Sequence, residues 1–231
     1  MREEAALEPE VIRRGAVAAT PDFDGVARVY RWLECAAFGP WLWWCRCAFL
    51  AELADCRHAL VMGDGDGRFT ARLLAINPRV RIHAVDASVE MLRLLVRRAG
   101  RDAARMRVDL ADVRRWHPAA QRIDLIVTHF FLDCLTTAEV ADLASKLRGC
   151  VTPGSLWVVS EFAVPENWFG GLVAGPIVGA LYRAFGLLTG LKVRQLPDHA
   201  AALGMAGFTL LKRRPWLKGL LVSELWTAGT N

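Results

Sequence analysis

The sequence predicts an α/β protein, a doubly wound, mostly parallel sheet with helices on both faces. Three observations carry this prediction. Short, mostly apolar runs such as Ala59–Met62, Val80–Val85 and Ile123–Thr128 alternate with longer stretches of helical period, as do strands buried on both sides and the helices that cover them. The first run opens into a glycine loop, Gly63-Asp64-Gly65-Asp66-Gly67, followed at once by a helical segment. The chain has 231 residues, is 54% hydrophobic and carries 9 Trp and 10 Phe. That is enough apolar surface for one large core, and it excludes both intrinsic disorder and a small disulfide-stapled fold.

Taken in order, residues 1–21 are polar and Ala-rich and are expected to form a loose leader. A single domain is expected over 22–231, opening with a helical cap at 22–56. In the cap Val26, Val29, Trp32 and Leu33 share one face, as do Trp41, Trp44 and Phe49 after the Gly39-Pro40 break. Strand Ala59–Met62, the glycine loop and helix Phe69–Ile76 come next, then strand Val80–Val85 and helix Val89–Ala99. Met106–Leu110 and Ile123–Thr128 read as strands, Thr137–Arg148 as a helix and Ser155–Glu161 as a fifth strand. The rhythm then changes. An apolar helical insertion is expected over 163–198, and within its segment Trp168–Leu191 the glycines 171, 175 and 179 recur every four residues. A short helix at Pro197–Ala206 precedes two final strands, Phe208–Lys212 and Leu220–Trp226, joined as a hairpin around Pro215 and Gly219.

The net charge of +5 does not point to nucleic acid. Of 29 basic residues 25 are Arg, and they are spread along the chain in groups no larger than Lys212-Arg213-Arg214, Arg97-Arg98 among the pairs. A nucleic-acid footprint concentrates on one face. The longest uncharged stretch, Asn167–Tyr182, has 16 residues and contains Pro176, whereas a spanning helix needs about 20, so no integral membrane segment is expected. The opening residues Met1–Arg14 lack the apolar stretch of a secretory signal. Six cysteines (35, 45, 47, 56, 134 and 150) contain no C-x-x-C pair. They are expected as reduced thiols in a cytoplasmic protein without a metal. A zinc set of Cys45, Cys47, Cys56 and His58 is disfavoured because residues two apart on a helix point to nearly opposite sides.

The glycine loop is the most informative stretch. Glycines at 63, 65 and 67 let the backbone turn sharply and approach a ligand. About 20 residues on, the next strand ends in Asp86, placed for its carboxylate to accept bonds from two ribose hydroxyls. A dinucleotide fingerprint, G-x-G-x-x-G, would require glycine at 68, where this chain has Arg68. The observed G-x-G-x-G suits a ligand without a pyrophosphate.

In these features the sequence resembles the class I S-adenosylmethionine-dependent methyltransferases. Gly63–Gly67 is similar to their first motif and Asp86-Ala87 to the ribose-binding position. Ala111-Asp112-Val113 resembles the stretch that contacts the adenine, Ile123–Thr128 the fourth-strand motif and Gly154–Val159 the entry into the fifth strand. The resemblance spans roughly residues 22–227. Phe23-Asp24, Tyr30–Leu33, Ala206–Thr209 and Ser223–Trp226 bring it nearest to the quinone-biosynthesis-type small-molecule branch. It implies a Rossmann-like, seven-stranded sheet and S-adenosylmethionine as cofactor. Gly63, Asp64, Gly65, Gly67, Asp86, Ala87, Asp112, Val113, Thr128 and His129 would form the cofactor site. Many members carry an acid two residues before the first glycine; here that position is Val61, and Asp64 or Asp66 is left to take over its polar role.

Methyl transfer makes modest demands on a protein, because the cofactor supplies the reactivity. His129 is a candidate general base on its near-neutral pKa, or else a residue lining the cofactor. Asp133 would orient His129 or a substrate hydroxyl, or serve the following helix terminus. The apolar Trp41–Trp44 and Trp168–Leu191 segments read either as a packed cap or as a lid over a pocket for an apolar or aromatic acceptor, with peripheral membrane contact as its route of entry. Two other readings compete. A nicotinamide-dependent oxidoreductase is disfavoured by Arg68 and by the lack of a Tyr-x-x-x-Lys pair, since Glu34 and Gly186 follow Tyr30 and Tyr182 by four. A non-catalytic binding module would account for Val61, but not for the retained glycines and Asp86. The acceptor and the oligomeric state are not legible.

Overall fold

Eight strands form one sheet in the computed structural model, which describes residues 12–14, 38–118, 122–181 and 195–229. They are β1 (Ile12–Arg14), β2 (His58–Met62), β3 (Arg81–Asp86), β4 (Met106–Leu110), β5 (Ile123–His129), β6 (Val151–Phe162), β7 (Phe208–Trp216) and β8 (Leu221–Ala228). Their order across the sheet is β1-β4-β3-β2-β5-β6-β8-β7. The first six are parallel; β8 runs antiparallel to β6, and β7 antiparallel to β8. The seven strands expected from the sequence are all present. The eighth corrects the reading of residues 1–21 as wholly loose, because Ile12–Arg14 pairs with Val108–Leu110. The open edge of β4 offers unpaired backbone groups, and three residues satisfy them without needing any apolar pattern of their own.

The helices are α1 (Trp41–Arg46), α2 (Arg68–Ile76), α3 (Val89–Ala99), α4 (Thr137–Arg148), α5 (residues 168–181) and α6 (His199–Met205). Their boundaries follow from caps. The Ser88 hydroxyl accepts from the Met91 amide at 3.2 Å to start α3, whose last turn carries Arg97 and Arg98 toward the negative end of the helix dipole. Thr136 and Glu139 form a reciprocal capping box at the start of α4. Within α5 the turn Gly170–Ala174 is widened into a π-helix.

One core cluster packs α4 and α6 against the sheet, with Leu143, Leu147 and Leu203 meeting Met62, Ile126 and Trp157. A second fills the other face, where Phe69, Leu73, Leu92 and Leu95 of α2 and α3 meet Val61, Ala84 and Val127. A third cluster joins Leu42 and Cys45 of α1 and Val178 of α5 to Phe130, Phe162 and Leu221. It lies at the carboxyl ends of the central strands.

The register of α1 differs from the sequence reading. Leu42, Cys45 and Phe49 are buried, while Trp41 and Trp44 stand 37% and 45% exposed. Hydrogen bonds set this rotation: the Cys45 carbonyl accepts from the hydroxyls of Ser160 (3.3 Å) and Ser223 (2.7 Å). The two indoles stack edge-on against each other, centroids 5.0 Å apart. Of the remaining cap and insertion expectations, those on 15–37 and 182–194 lie outside the described residues. β6 begins earlier than expected, with an irregular register opposite Ile123 and Leu125. Pro215 falls within edge strand β7 rather than in the turn, which is Leu217–Gly219; an edge strand tolerates the missing donor. Among the described residues no helix is long and apolar enough to cross a membrane.

Candidate functional site

The strand order reverses at β2, which pairs with β3 on one side and β5 on the other. A crevice at the carboxyl ends of such strands is the usual ligand site of an open parallel sheet, and the glycine loop leaves β2 there. Gly63, Gly65 and Gly67 all have left-handed φ, at 66°, 60° and 77°. At two of them space also demands glycine. A Cβ on Gly63 would overlap the Phe131 ring, and one on Gly67 would sit 2.6 Å from Leu95 Cα. The loop thus rests directly on α3 and on the segment after β5.

The acids around the loop divide by environment. Asp66 accepts from Arg68 Nε at 3.1 Å and faces Arg98 at 3.2 Å. Asp64, only 3% exposed, accepts the Thr70 amide on Oδ2 at 2.9 Å. Its Oδ1 makes no hydrogen bond, nor does the neighbouring Thr70 hydroxyl. Burial pushes the Asp64 carboxyl above its ordinary range. Asp86 ends β3 half-buried, with Oδ1 accepting the Ser88 amide at 2.8 Å and Ala87 beside it. Asp112 is gripped by Arg114 at 2.6 Å; burial opposes its ionisation, but the Arg114 bonds outweigh that and hold the carboxyl low.

The sheet register therefore brings the loop glycines, Asp64, Asp86, Ala87 and Asp112 to one edge. Two other expected residues turn their side chains away. Thr128 is fully buried and its hydroxyl accepts from Trp157 Nε1 at 3.0 Å, while Val113 packs into the first core cluster.

His129 is 1% exposed. Its Nδ1 lies 2.9 Å from the Ser160 hydroxyl, and its ring meets Phe69 edge-on at 4.4 Å. Nε2 makes no hydrogen bond. Burial, then the Arg46 charge, pushes this histidine well below its ordinary pKa. It is a neutral imidazole, a poor proton acceptor at neutral pH. Phe130 follows with φ of 52°, an uncommon backbone for a bulky residue that is frequent at ligand sites. The Arg46 guanidinium lies over its ring at 5.4 Å.

Asp133 lies on a 3-10 turn, Leu132–Cys134, and does not cap α4, whose cap is Thr136. Its close neighbour is Glu161, a residue that the sequence reading missed. Glu161 is buried at the end of β6, and Oε1 accepts from the amides of Phe131 (3.1 Å) and Leu132 (2.8 Å). Oε2 makes no bond. Burial and the Asp133 charge push the Glu161 carboxyl well up. The signal for it was present in the sequence, as Ser160-Glu161 are polar residues closing an apolar strand. Arg46, also missed, had no comparable signal.

Chemically the site binds and orients rather than attacks. Burial raises the thiols of Cys45 and Cys47 to about 11 and that of Cys56 to about 12, and it raises Cys134 as well, so none of them is a thiolate nucleophile at neutral pH. Among the described residues no group of three or more His, Cys, Asp or Glu could hold a metal ion.

Comparison with known proteins gives this geometry a context. A family model described as "Methyltransferase domain" matches residues 59–154, the stretch from β2 to the start of β6. The ubiquinone/menaquinone biosynthesis C-methyltransferase UbiE of Syntrophotalea carbinolica is 27% identical over 224 residues, 87% of this chain and 90% of that protein. Among solved structures, the mitomycin 7-O-methyltransferase MmcR superposes with a TM-score of 0.66 at 16% identity, over 89% of this chain and 60% of its own. The chain thus spans less than two thirds of that enzyme. The N-methyltransferase NodS of Bradyrhizobium japonicum WM9, in complex with S-adenosyl-L-homocysteine, superposes with a TM-score of 0.60 at 16% identity, over 88% of this chain and 99% of its own.

Proposed function

We propose that this chain, a member of the class I S-adenosylmethionine-dependent methyltransferases, methylates a small apolar or aromatic molecule. One observation carries the acceptor class: the carboxyl ends of β5 and β6 abut the third core cluster, where Phe130 and Phe162 meet beneath α1 and α5, ring centroids 5.2 Å apart. An acceptor reaching the crevice from that side meets hydrocarbon and aromatic faces, which favour flat or apolar molecules.

The residues present fit the cofactor. The three glycines allow close approach, and the Asp86 carboxylate is placed for the ribose. Ala87, Asp112 and the Val113 backbone would line the adenine side, with His129 and the Thr128 backbone near the reacting end. The cofactor supplies an electrophilic methyl on sulfur. The protein then has to align the acceptor and exclude water. With His129 held neutral, a proton from the acceptor would go to Asp133 or to solvent rather than to the imidazole.

The relative's quinone-type acceptor makes hydroquinones and phenols the first compounds to test. Titration calorimetry should show binding of S-adenosylmethionine and not of NADH, with at least about a tenfold loss in Asp86→Ala, as expected for a lost charged hydrogen bond. Transfer of labelled methyl to a hydroquinone or phenol panel should follow. NADH binding, or methylation confined to polar amines, would overturn the proposal. The proposed setting is the cytoplasm, with membrane contact at most peripheral. Trp168 and Leu172 of α5 are 68% and 76% exposed, and Lys218 Nζ lies 5.9 Å from the Trp168 ring centre, an arrangement suited to a lipid interface.

A further inference from the structure

We infer that the amino ends of β2, β3 and β4 hold a second ligand site, one for a phosphorylated small molecule. It lies at the opposite end of these strands from the glycine loop and goes beyond the methyl-transfer reading. Its origin is in the strand sequences. β3 begins Arg81-Ile82-His83-Ala84 and β4 reads Met106-Arg107-Val108-Asp109, an alternation of polar and apolar residues, whereas a strand buried on both faces is apolar throughout. Ile82, Ala84 and Val108 pack with α2 and α3, so Arg81, His83, Arg107 and Asp109 point to the other face. The parallel register sets His58 beside Arg81, and Leu60, His83 and Arg107 in the next row.

That face has room for a ligand. α4 and α6 cover it over β5 and β6, but the described part of the link from β4 to β5, residues 111–118, forms no helix. From this link Trp116 packs edge-on against His83 at 5.5 Å and donates to Asp109 at 3.2 Å. Past it a cavity of about 550 Å³ opens, a size common for small-molecule sites. Leu60, Ile123 and Pro118 give it apolar walls, while Arg81, Arg105, Arg107 and Arg122 give it charge, and no acid lines it. Two of these arginines are matched. Arg105 meets Asp102 at 2.8 Å and donates to the carbonyls of Leu74, Asn77 and Val80. Arg107 meets Asp109 at 3.3 Å. Asp124, at the same end of the sheet, spends its oxygens on the Arg57 and His58 amides. Arg81 and Arg122 are exposed, and among the described residues neither has a carboxylate partner. Their two positive charges complement a phosphate monoester, which carries about two negative ones at neutral pH, and their planar forks fit its oxygens. The apolar walls then receive the body of the ligand.

Titration calorimetry with uridine 5′-monophosphate and uridine tests the site. The monophosphate should bind wild type at least about tenfold more tightly than uridine. Arg81→Met and Arg122→Met should each weaken it about tenfold, with the lysine variants recovering part of the loss. Both side chains are exposed, so the variants should keep the wild-type urea midpoint. Arg97→Met, on α3 and outside the cavity, and Asp86→Ala, in the cofactor crevice, should each leave binding within about twofold. Equal loss in Arg97→Met would reduce the effect to net charge, and loss in Asp86→Ala would move the nucleotide to the crevice; either result overturns the inference. Equal affinity for the monophosphate and uridine, or no binding of the monophosphate or of inorganic phosphate, overturns it as well.

Discussion

Gly65 and Gly67 share a left-handed backbone but differ in what a methyl group would meet. At Gly65 the space is open, while at Gly67 the Leu95 backbone fills it. Gly65→Ala should cost about 1 kcal/mol, the usual penalty for an L-residue in that region. Gly67→Ala should cost clearly more, roughly 3 kcal/mol, because the loop must also lift off α3; urea denaturation of the pair checks the difference. His129 gives a pH prediction. Its pKa is lower folded than unfolded, so the unfolded chain binds the extra proton. Its contribution to stability is full above the ordinary value of about 6.5 and is lost as the pH falls below it, at up to about 1.4 kcal/mol per unit. Between pH 6.5 and 5, wild type should lose stability more steeply than His129→Gln. At this scale the glycines, Asp64 and Asp86 were legible in the sequence because their types and spacing are local. Arg46 was not, and Glu161 showed only as a polar residue closing an apolar strand, because contacts with residues far along the chain create their importance.

Helix termini carry their instructions locally, and α3 and α4 occupy the residues that the sequence predicts. Thr136→Ala removes the side-chain half of the capping box on α4, the bond from the Glu139 amide, and leaves the bond from the backbone amide at 136 to the Glu139 carboxylate; it should cost about 1 kcal/mol in thermal or urea unfolding. The end of β6 behaves differently, since Glu161 holds the 3-10 turn after β5 through the Phe131 and Leu132 amides. Its pKa is higher folded than unfolded, so the folded state holds the proton more tightly. The associated stability is full below the ordinary glutamate value of about 4.3 and is lost as the pH rises toward the folded pKa. Glu161→Gln keeps an acceptor for both amides and removes the titration. The variant should therefore gain on wild type as the pH rises from 4.5 to 7, and parallel profiles would show that Glu161 does not titrate there. The rotation of α1 was not legible, because two serine hydroxyls on β6 and β8 decide which face of a six-residue helix turns inward.

Among the described residues, three apolar clusters carry the packing, one on each face of the sheet and one under the cap. Trp157 shows how much one position can hold: fully buried, it donates to Thr128 and meets Phe208 edge-on at 5.1 Å. Trp157→Ala should cost about 3–5 kcal/mol, whereas Leu172→Ser on the exposed cap should stay within about 0.5 kcal/mol; equilibrium unfolding of the two variants tests the contrast. The sequence by itself determined the seven strands, their intervening helices and the glycine-loop crevice, because apolar period and glycine spacing are properties of neighbours in the chain. Tertiary structure alone decided the added strand β1, the inward face of α1, the neutral state of His129, the turning of Thr128 into the core and the placing of Arg46 over Phe130. Each of these depends on hydrogen bonds, burial or charge supplied by residues distant in sequence, and no local pattern encodes such partners.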